Sequence, residues 1–337
     1  MPKRGIAVAV AGLIAIAAGA ARADEITLTL ATLDPPPTPL NTQELHPWAD
    51  RVNAAGKGVV QIVVRDGTEI ANQQNIYDRV LSDVVQIGRG TQSFIGGKFP
   101  LSEVVALPFV IDNGETASVA FWRLYRSGLL DSEYNDTMPL FFGILPPQAL
   151  HLTKAPNAID DLGGLRVAVA TKNGAEIVSR LGGAPQSIQL IDLYPALQRG
   201  AADGVMINWP AFPPFKLNEV TRYHIEAPFG GSATMIFMAK KKWDALPRAA
   251  QKVLAENSGE AESRRFGAFW DTASDQGRAM VAAMGTQQTI VDLTPAQSAA
   301  LKSKIAPMAA EWTKATPGGA KVLQALRADL AAVAAGH

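Results

Sequence analysis

Residues 161–208, DLGGLRVAVATKNGAEIVSRLGGAPQSIQLIDLYPALQRGAADGVMIN, constrain the fold more than any other part of the chain. Their periodicity alternates between two and 3.6, the mark of a βαβαβ unit. Residues 166–170 form a short apolar strand, 174–181 a short helix and 187–190 a second strand. A second helix over 192–199 stops at Gly200, and 204–208 gives a third strand ending on Asn208. No catalytic motif interrupts the unit, so a binding fold is the first expectation.

The N-terminus restricts where such a fold works. Lys3 and Arg4 precede an uncharged apolar run over 6–20, too short to span a bilayer comfortably. Ala21-Arg22-Ala23 has the small-x-small pattern of signal-peptidase cleavage, so residues 1–23 read as a secretory leader cut after Ala23. The mature chain is expected to be soluble and periplasmic. Without Lys3, Arg4 and Arg22 it keeps 28 basic against 31 acidic residues, a balance unlike a nucleic-acid footprint. The 314 residues left suffice for two α/β lobes, each with its own core. Cysteine is absent, which excludes disulfides, thiolate metal sites and a Cys nucleophile.

Upstream the same rhythm recurs. Residues 25–33 alternate as a first strand and end in Asp34-Pro35-Pro36-Pro37, which can be neither helix nor central strand. Ligands of open α/β sheets gather at such strand ends, making 34–41 a candidate cleft loop. A helix over 45–54, a strand over 59–65, a helix over 73–82 and a strand over 84–88 follow. The apolar run 103–111, a helix over 116–127 and a strand over 140–145 come next, and Pro146-Pro147 marks a crossing between lobes. Beyond Asn208 lie the aromatic, proline-rich loop 209–215 and a strand over 234–239. Helix-forming residues then run almost unbroken over 247–284, long enough to brace both lobes.

Four local patterns in order resemble the substrate-binding proteins of tripartite ATP-independent periplasmic (TRAP) transporters, the DctP-like family. Asp161-Leu162-Gly163-Gly164-Leu165-Arg166-Val167 is similar to that family's D-L-x-G-L-[KR]-[IV]. Leu193 to Gly200, with Ala202-Asp203-Gly204, is similar to its V-Y-x-A-L-Q-x-G-x-x-D-G. Phe99-Pro100 through Leu107-Pro108-Phe109 and Lys241 to Pro247 resemble its F-x-P-E-x…L-P-F and K-x-W-[DE]-x-L-P segments. The resemblance implies an α/β, two-lobed clamshell of the periplasmic-binding-protein type, with hinge strands and a long lobe-spanning helix. It implies lobe I over 24–148, lobe II over 149–233, a return to lobe I and the connecting helix over 234–275, and C-terminal helices packing on lobe II over 276–337. It also implies one small solute, most often an organic acid, handed to the small and large membrane subunits of a permease, without cofactor, metal or nucleic acid. Closure would be driven by contacts that the solute makes with both lobes.

One position departs from the family. Where relatives carry an Arg that pairs with the ligand's carboxylate, this chain has Ala168. An apolar residue cannot replace a guanidinium fork. Either another cation serves, Arg89 or Lys172 with Asn173 at a helix N-terminus, or the ligand is an amine, alcohol or aromatic compound without a carboxylate. Arg166 shares a strand face with Ala168 and is a weaker substitute. Asn208 falls where the family places a ligand-contacting Asn, and Trp209 with Phe212 form either an aromatic floor or lobe core. Asp34, Glu69, Asn72, Gln92 and Ser93 stand at loop edges of the first lobe, each a turn residue or a contact.

Enzyme readings find little support. His46, His151, His224 and His337 stand far apart in sequence without zinc-site spacing, and no G-x-S-x-G, G-x-G-x-x-G or P-loop occurs. A pair of carboxylates suffices for glycosidase chemistry, so an exported hydrolase stays an alternative on residue type alone. A sensory receptor would present the same clamshell; turnover of a candidate substrate would overturn the binding-protein reading.

Overall fold

A computed structural model describes residues 25–337, so the expected leader over 1–23 lies outside the described residues. Two mixed sheets organise the chain. In the first, β1 (Ile26–Ala31), β2 (Val60–Arg65), β3 (Ile87–Thr91), β4 (Thr137–Leu145) and the later strand Ser232–Ala239 lie in the order β2, β1, β3, Ser232–Ala239, β4. The second contains β5 (Ala149–Leu152), β6 (Arg166–Val169), β7 (Ala184–Ser187), β8 (Gly204–Ile207) and β9 (Tyr223–Glu226). With Ser232–Ala239 numbered β10 and Thr289–Val291 numbered β11, its order is β11, β9, β5, β8, β6, β7.

Alternation along the strands explains why each sheet is covered on both faces. Leu28 and Leu30 of β1 enter one apolar cluster of lobe I and Ala31 enters the other. In lobe II, Val167 and Val169 of β6 pack on one side while Ala168 packs on the other with Val205, Trp209 and Phe212. The parallel pairs need helical crossovers: His46–Ala55 and Ile76–Leu81 serve β1/β2 and β1/β3, and the helices within 161–208 serve β6/β7 and β6/β8.

Polypeptide crosses between lobes after β4 and again before β10. The two crossings are stitched together where the Gln148 amide donates to the Gly230 carbonyl at 2.9 Å, and the Gly231 amide ties the second crossing to Val105 of lobe I at 2.9 Å. Gly230 sits at φ +89°, and a Cβ there would lie 2.0 Å from the Ala106 carbonyl oxygen, so only glycine fits this hinge. From the lobe I side, the Phe109 amide donates to Pro228 at 2.8 Å and its ring packs against the apolar cluster of lobe II.

The bracing helix is shorter than periodicity suggests. Residues 247–284 divide into Arg248–Glu256 and Glu260–Ala282. The break is the Asn257-Ser258-Gly259 turn, where Gly259 has φ +83° and its amide donates to Leu140 at 2.8 Å. Glu260–Ala282 then meets lobe I through Gly267, whose Cβ would fall 2.4 Å from the Gly114 carbonyl oxygen. It meets lobe II through Gly277, 2.3 Å by the same measure from the Trp209 carbonyl.

Other boundaries move for identifiable reasons. The strand expected over 84–88 begins at Ile87, because Asp83 turns the chain at φ +60° and Val84 closes onto Arg79. The strand expected over 187–190 is instead Ala184–Ser187, followed by a 3-10 turn over Leu190–Asp192. The apolar run 103–111 overlaps the 3-10 turn Ser102–Ala106, and 209–215 coils into short helical turns. The C-terminal helices divide between lobes: Leu301, Ile305 and Met308 join the lobe II core, whereas Val322, Leu323 and Leu326 of Gly319–Ala334 join lobe I. This corrects the expectation that all of 276–337 packs on lobe II; the apolar stripe of the last helix matches the face of Gly114–Arg126.

Lobe I also carries an acid that resists ionising. Glu44 lies in a π-helical turn over Leu40–Leu45, and its pKa is pushed up from 4.5 to about 7 by burial and then by Glu262, against Arg51 and Arg265. A folded pKa above the unfolded one makes ionisation costly, so the penalty is absent below pH 4.5 and complete above about pH 7. Glu44→Gln is expected to stabilise the protein at alkaline pH by about 2 kcal/mol, a melting shift of about 4 °C, and to change nothing below about pH 4. Melting curves at the two pH values check this.

Candidate functional site

The carboxyl ends of β1 and β3 bring Asp34 and Arg89 together. Arg89 is the third residue of β3, opposite Ile236 of β10, and only 6% exposed. Its Nε donates to the Thr32 carbonyl at 2.9 Å and its Nη2 to Asp34 Oδ2 at 2.5 Å. One edge of the guanidinium is thereby fixed, while Nη1 has no hydrogen-bond partner among the described residues. Asn41, fully buried, donates to the Asp34 and Pro35 carbonyls at 2.9 and 3.0 Å and so shapes the triproline loop. The three-residue shift of β3 matters here: Arg89 is a rigid strand residue rather than one just past a strand end.

On lobe II, Asn208 follows β8, is 8% exposed, and its Nδ2 donates to the Pro146 carbonyl of the crossing at 3.3 Å. Its Oδ1 accepts no hydrogen bond among the described residues. Lys172 opens the helix Lys172–Arg180, whose N-cap Thr171 accepts from the Gly174 amide at 3.1 Å, and its side chain is exposed. Asn173 is spent otherwise: its Nδ2 donates 2.8 Å across to the Ala106 carbonyl of lobe I.

The remaining candidates have structural partners. Trp209 is 4% exposed, with its Nε1 donating to Glu226 at 2.8 Å, and Glu226 pairs with Arg278 at 3.0 Å. Phe212 is fully buried beside it, so this aromatic pair is lobe core, and the floor reading is corrected by that burial. Gln92 lies inside lobe I, donating to the Tyr134 hydroxyl at 2.9 Å, which contacts Ser102 and through it Glu133. Burial pushes both Tyr134 and Glu133 up, while hydrogen bonds from Ser102 and Leu101 act against this at Glu133. Ser93 has a buried hydroxyl without a partner among the described residues. Asn72 accepts from the Gln74 and Asn75 amides as a turn cap, and Glu69 is exposed. Arg166 is held at the opposite strand end by Asp203 at 2.9 Å and the Gly200 carbonyl at 2.7 Å, which removes it as a substitute anchor.

Sequence reasoning missed one cluster altogether. His151 and His224, 73 positions apart, meet with their Nδ1 atoms 2.9 Å from each other. Antiparallel pairing of β5 with β9 brings them together, and no local signal announces that pairing. Among the described residues no group of three or more His, Asp or Glu is placed to hold a metal, and no helix is long and apolar enough to cross a membrane. Two surface hollows of about 500 and 280 Å3 are lined around Ile159 and Ala296, and around Phe109 and Leu293; neither includes Arg89 or Asn208.

Two α/β lobes joined by paired crossings, with Arg89 buried among the strands of lobe I and Asn208 at a strand end of lobe II, have the form of a solute-binding clamshell. Consistent with this, the bacterial extracellular solute-binding protein family 7 (DctP) matches residues 32–315, and the chain belongs to that family, the solute receptors of TRAP transporters. It is 26% identical over 264 residues to the outer membrane transporter protein TsaT of Comamonas testosteroni, covering 74% of this chain and 75% of that one. A TRAP solute-binding protein from Rhodoferax ferrireducens superposes with a TM-score of 0.82 at 26% identity, over 91% of this chain and 98% of its own. One from Bordetella bronchiseptica shares the fold with a TM-score of 0.81 at 22% identity, over 91% and 99%.

Proposed function

We propose that this receptor binds a small organic acid, with an aromatic carboxylate as the best-supported class, between Arg89 of lobe I and Asn208 of lobe II. The observation that carries the reading is Arg89, a buried guanidinium with one edge anchored and Nη1 left open. A pre-oriented fork spends little entropy on capturing a carboxylate. The liganded relatives support the same chemistry: the Rhodoferax protein holds benzoate, a marine metagenome protein 3-hydroxybenzoate, and the Bordetella bronchiseptica protein both mandelates. More distant folds hold pyroglutamic acid and glucuronate, which are also acids.

The solute is delivered to the small and large membrane subunits of a TRAP permease, the protein performs no catalysis, and it works in the periplasm after cleavage behind Ala23. Lys172, exposed at the rim, steers anions rather than anchoring them. Asp34 gives the opposite chemistry a foothold, since a carboxylate beside the cleft suits an amine. A thermal-shift screen of aromatic and aliphatic acids, amines and sugars separates the two: benzoate at about 100 times its Kd is expected to stabilise by about 2.7 kcal/mol. Stabilisation by amines alone would refute the assignment.

A further inference from the structure

The histidine pair buried in lobe II has a proton count that its neighbours dictate. His151 Nε2 lies 3.1 Å from the Ile207 carbonyl, which can only accept, so that nitrogen carries hydrogen. His224 Nε2 lies 3.0 Å from Gln288 Oε1. The amide cannot be reversed, because Gln288 Nε2 donates to the Asn218 carbonyl at 2.8 Å and reversal would set oxygen against oxygen. His224 Nε2 therefore carries hydrogen as well. If both rings were neutral, two lone pairs would face each other across the 2.9 Å between the Nδ1 atoms.

Strand register says where a charge there would act. Ala168 pairs with Val205, Val205 with His151, and His151 with His224, one row across β6, β8, β5 and β9. In-register neighbours share a sheet face, so the imidazoles lie on the side of Ala168, His151 two strand spacings or about 10 Å away and His224 three or about 14 Å. The His151 ring packs edge-on against Trp209 and Phe212, each with centroids 4.5 Å apart, and it holds the carbonyl of the residue before Asn208.

We propose that His151 and His224 share one proton between their Nδ1 atoms, giving lobe II a buried positive charge behind Asn208 that strengthens anion binding and is withdrawn as pH rises. The effect on affinity rests on the organic-acid reading; the shared proton does not. Burial, and then the neighbouring imidazole, hold His151 well below the ordinary range, while its bond to the Ile207 carbonyl acts the other way. Burial also lowers His224, while its bond to Gln288 and the Glu226 carboxylate act against that, and Arg222 acts with it. Glu226 is itself paired with Arg278 of the bracing helix, and Glu219 on the adjoining Leu217–Val220 turn is engaged by Tyr194.

Long-range proton–nitrogen correlation spectra of the full chain labelled at histidine, recorded from about pH 5 to about pH 9, read the proton directly. Two protonated Nε2 atoms and one shared Nδ1 proton at the acidic end, lost on alkalinisation, are expected; neutral rings throughout would overturn the proposal. Benzoate affinity, titrated over the same range, is expected to fall roughly tenfold with that loss. It should stay at the weaker value throughout in His224→Gln. His46, paired with Asp66 at 2.9 Å on lobe I, is the other described histidine near a strand end, so His46→Gln should retain the dependence. A dependence that survives in His224→Gln and vanishes in His46→Gln would refute the electrostatic role, whatever the fold of either variant. Benzoate failing to bind at every pH would remove that role together with the organic-acid reading, with the spectra still deciding the proton.

Discussion

Arg89→Ala is expected to weaken benzoate binding at least about 30-fold, because truncating one partner of a desolvated charge pair costs about 2 to 5 kcal/mol. The side chain is 6% exposed and its Nε and Nη2 are committed to Thr32 and Asp34, so nothing nearby can take over its open nitrogen. The substitution also strands Asp34, whose charge would then repel the incoming carboxylate. Arg89→Lys should recover little, since an ammonium cannot hold the Thr32 carbonyl, Asp34 and a ligand in one plane. Lys172→Ala, by contrast, removes an exposed charge and should change affinity less than Arg89→Ala. Calorimetric titration of the three variants checks the ranking, and equal loss in Arg89→Ala and Lys172→Ala would contradict it.

Gly277→Ala is expected to cost about 3 kcal/mol of stability, because its methyl would enter the space 2.3 Å from the Trp209 carbonyl oxygen and the neighbour is backbone. Relief requires the bracing helix to move off lobe II. That displaces Trp209, loosens its bond to Glu226, and shifts the adjacent Asn208. Benzoate affinity should therefore fall together with the melting temperature. Gly267→Ala meets the Gly114 carbonyl oxygen at 2.4 Å and should destabilise comparably, but from the lobe I end, with a smaller effect on affinity. Melting curves and titrations of both variants separate the two ends of the brace; a Gly277→Ala protein as stable as wild type would contradict the packing argument.

Local periodicity carried much of the architecture. Residues 161–208 fold as the βαβαβ unit that their spacing implies, because strand and helix there are set by neighbours a few positions away. The strands β5, β9 and β11 were invisible for the opposite reason: each is three or four residues long and exists through pairing with distant segments. The histidine pair follows from the same nonlocal pairing, so four dispersed histidines gave no hint of it. Register decided the rest of the site. A turn at Asp83 moved Arg89 from a loop into a strand, where its guanidinium is held by two partners instead of waving in solvent.

Ala168 has a physical reading as well. Its methyl belongs to an apolar cluster with Trp209 and Phe212, so the position has become core, with the anchoring of anions moved in our account to the facing lobe. The aromatic residues that looked suited to a ligand floor follow from that change: they cover the sheet face that Ala168 leaves short. Residue type alone could not separate the two uses, because an aromatic ring serves both.

Recognition turns on a carboxylate meeting Arg89, and titration of the wild-type protein with benzoate against benzamide tests this most directly. The two have nearly the same shape, and only the first carries charge. Saturable binding of one benzoate, with benzamide at least about 100-fold weaker, is the predicted result; benzamide binding as tightly as benzoate, or an amine binding where benzoate does not, would contradict it.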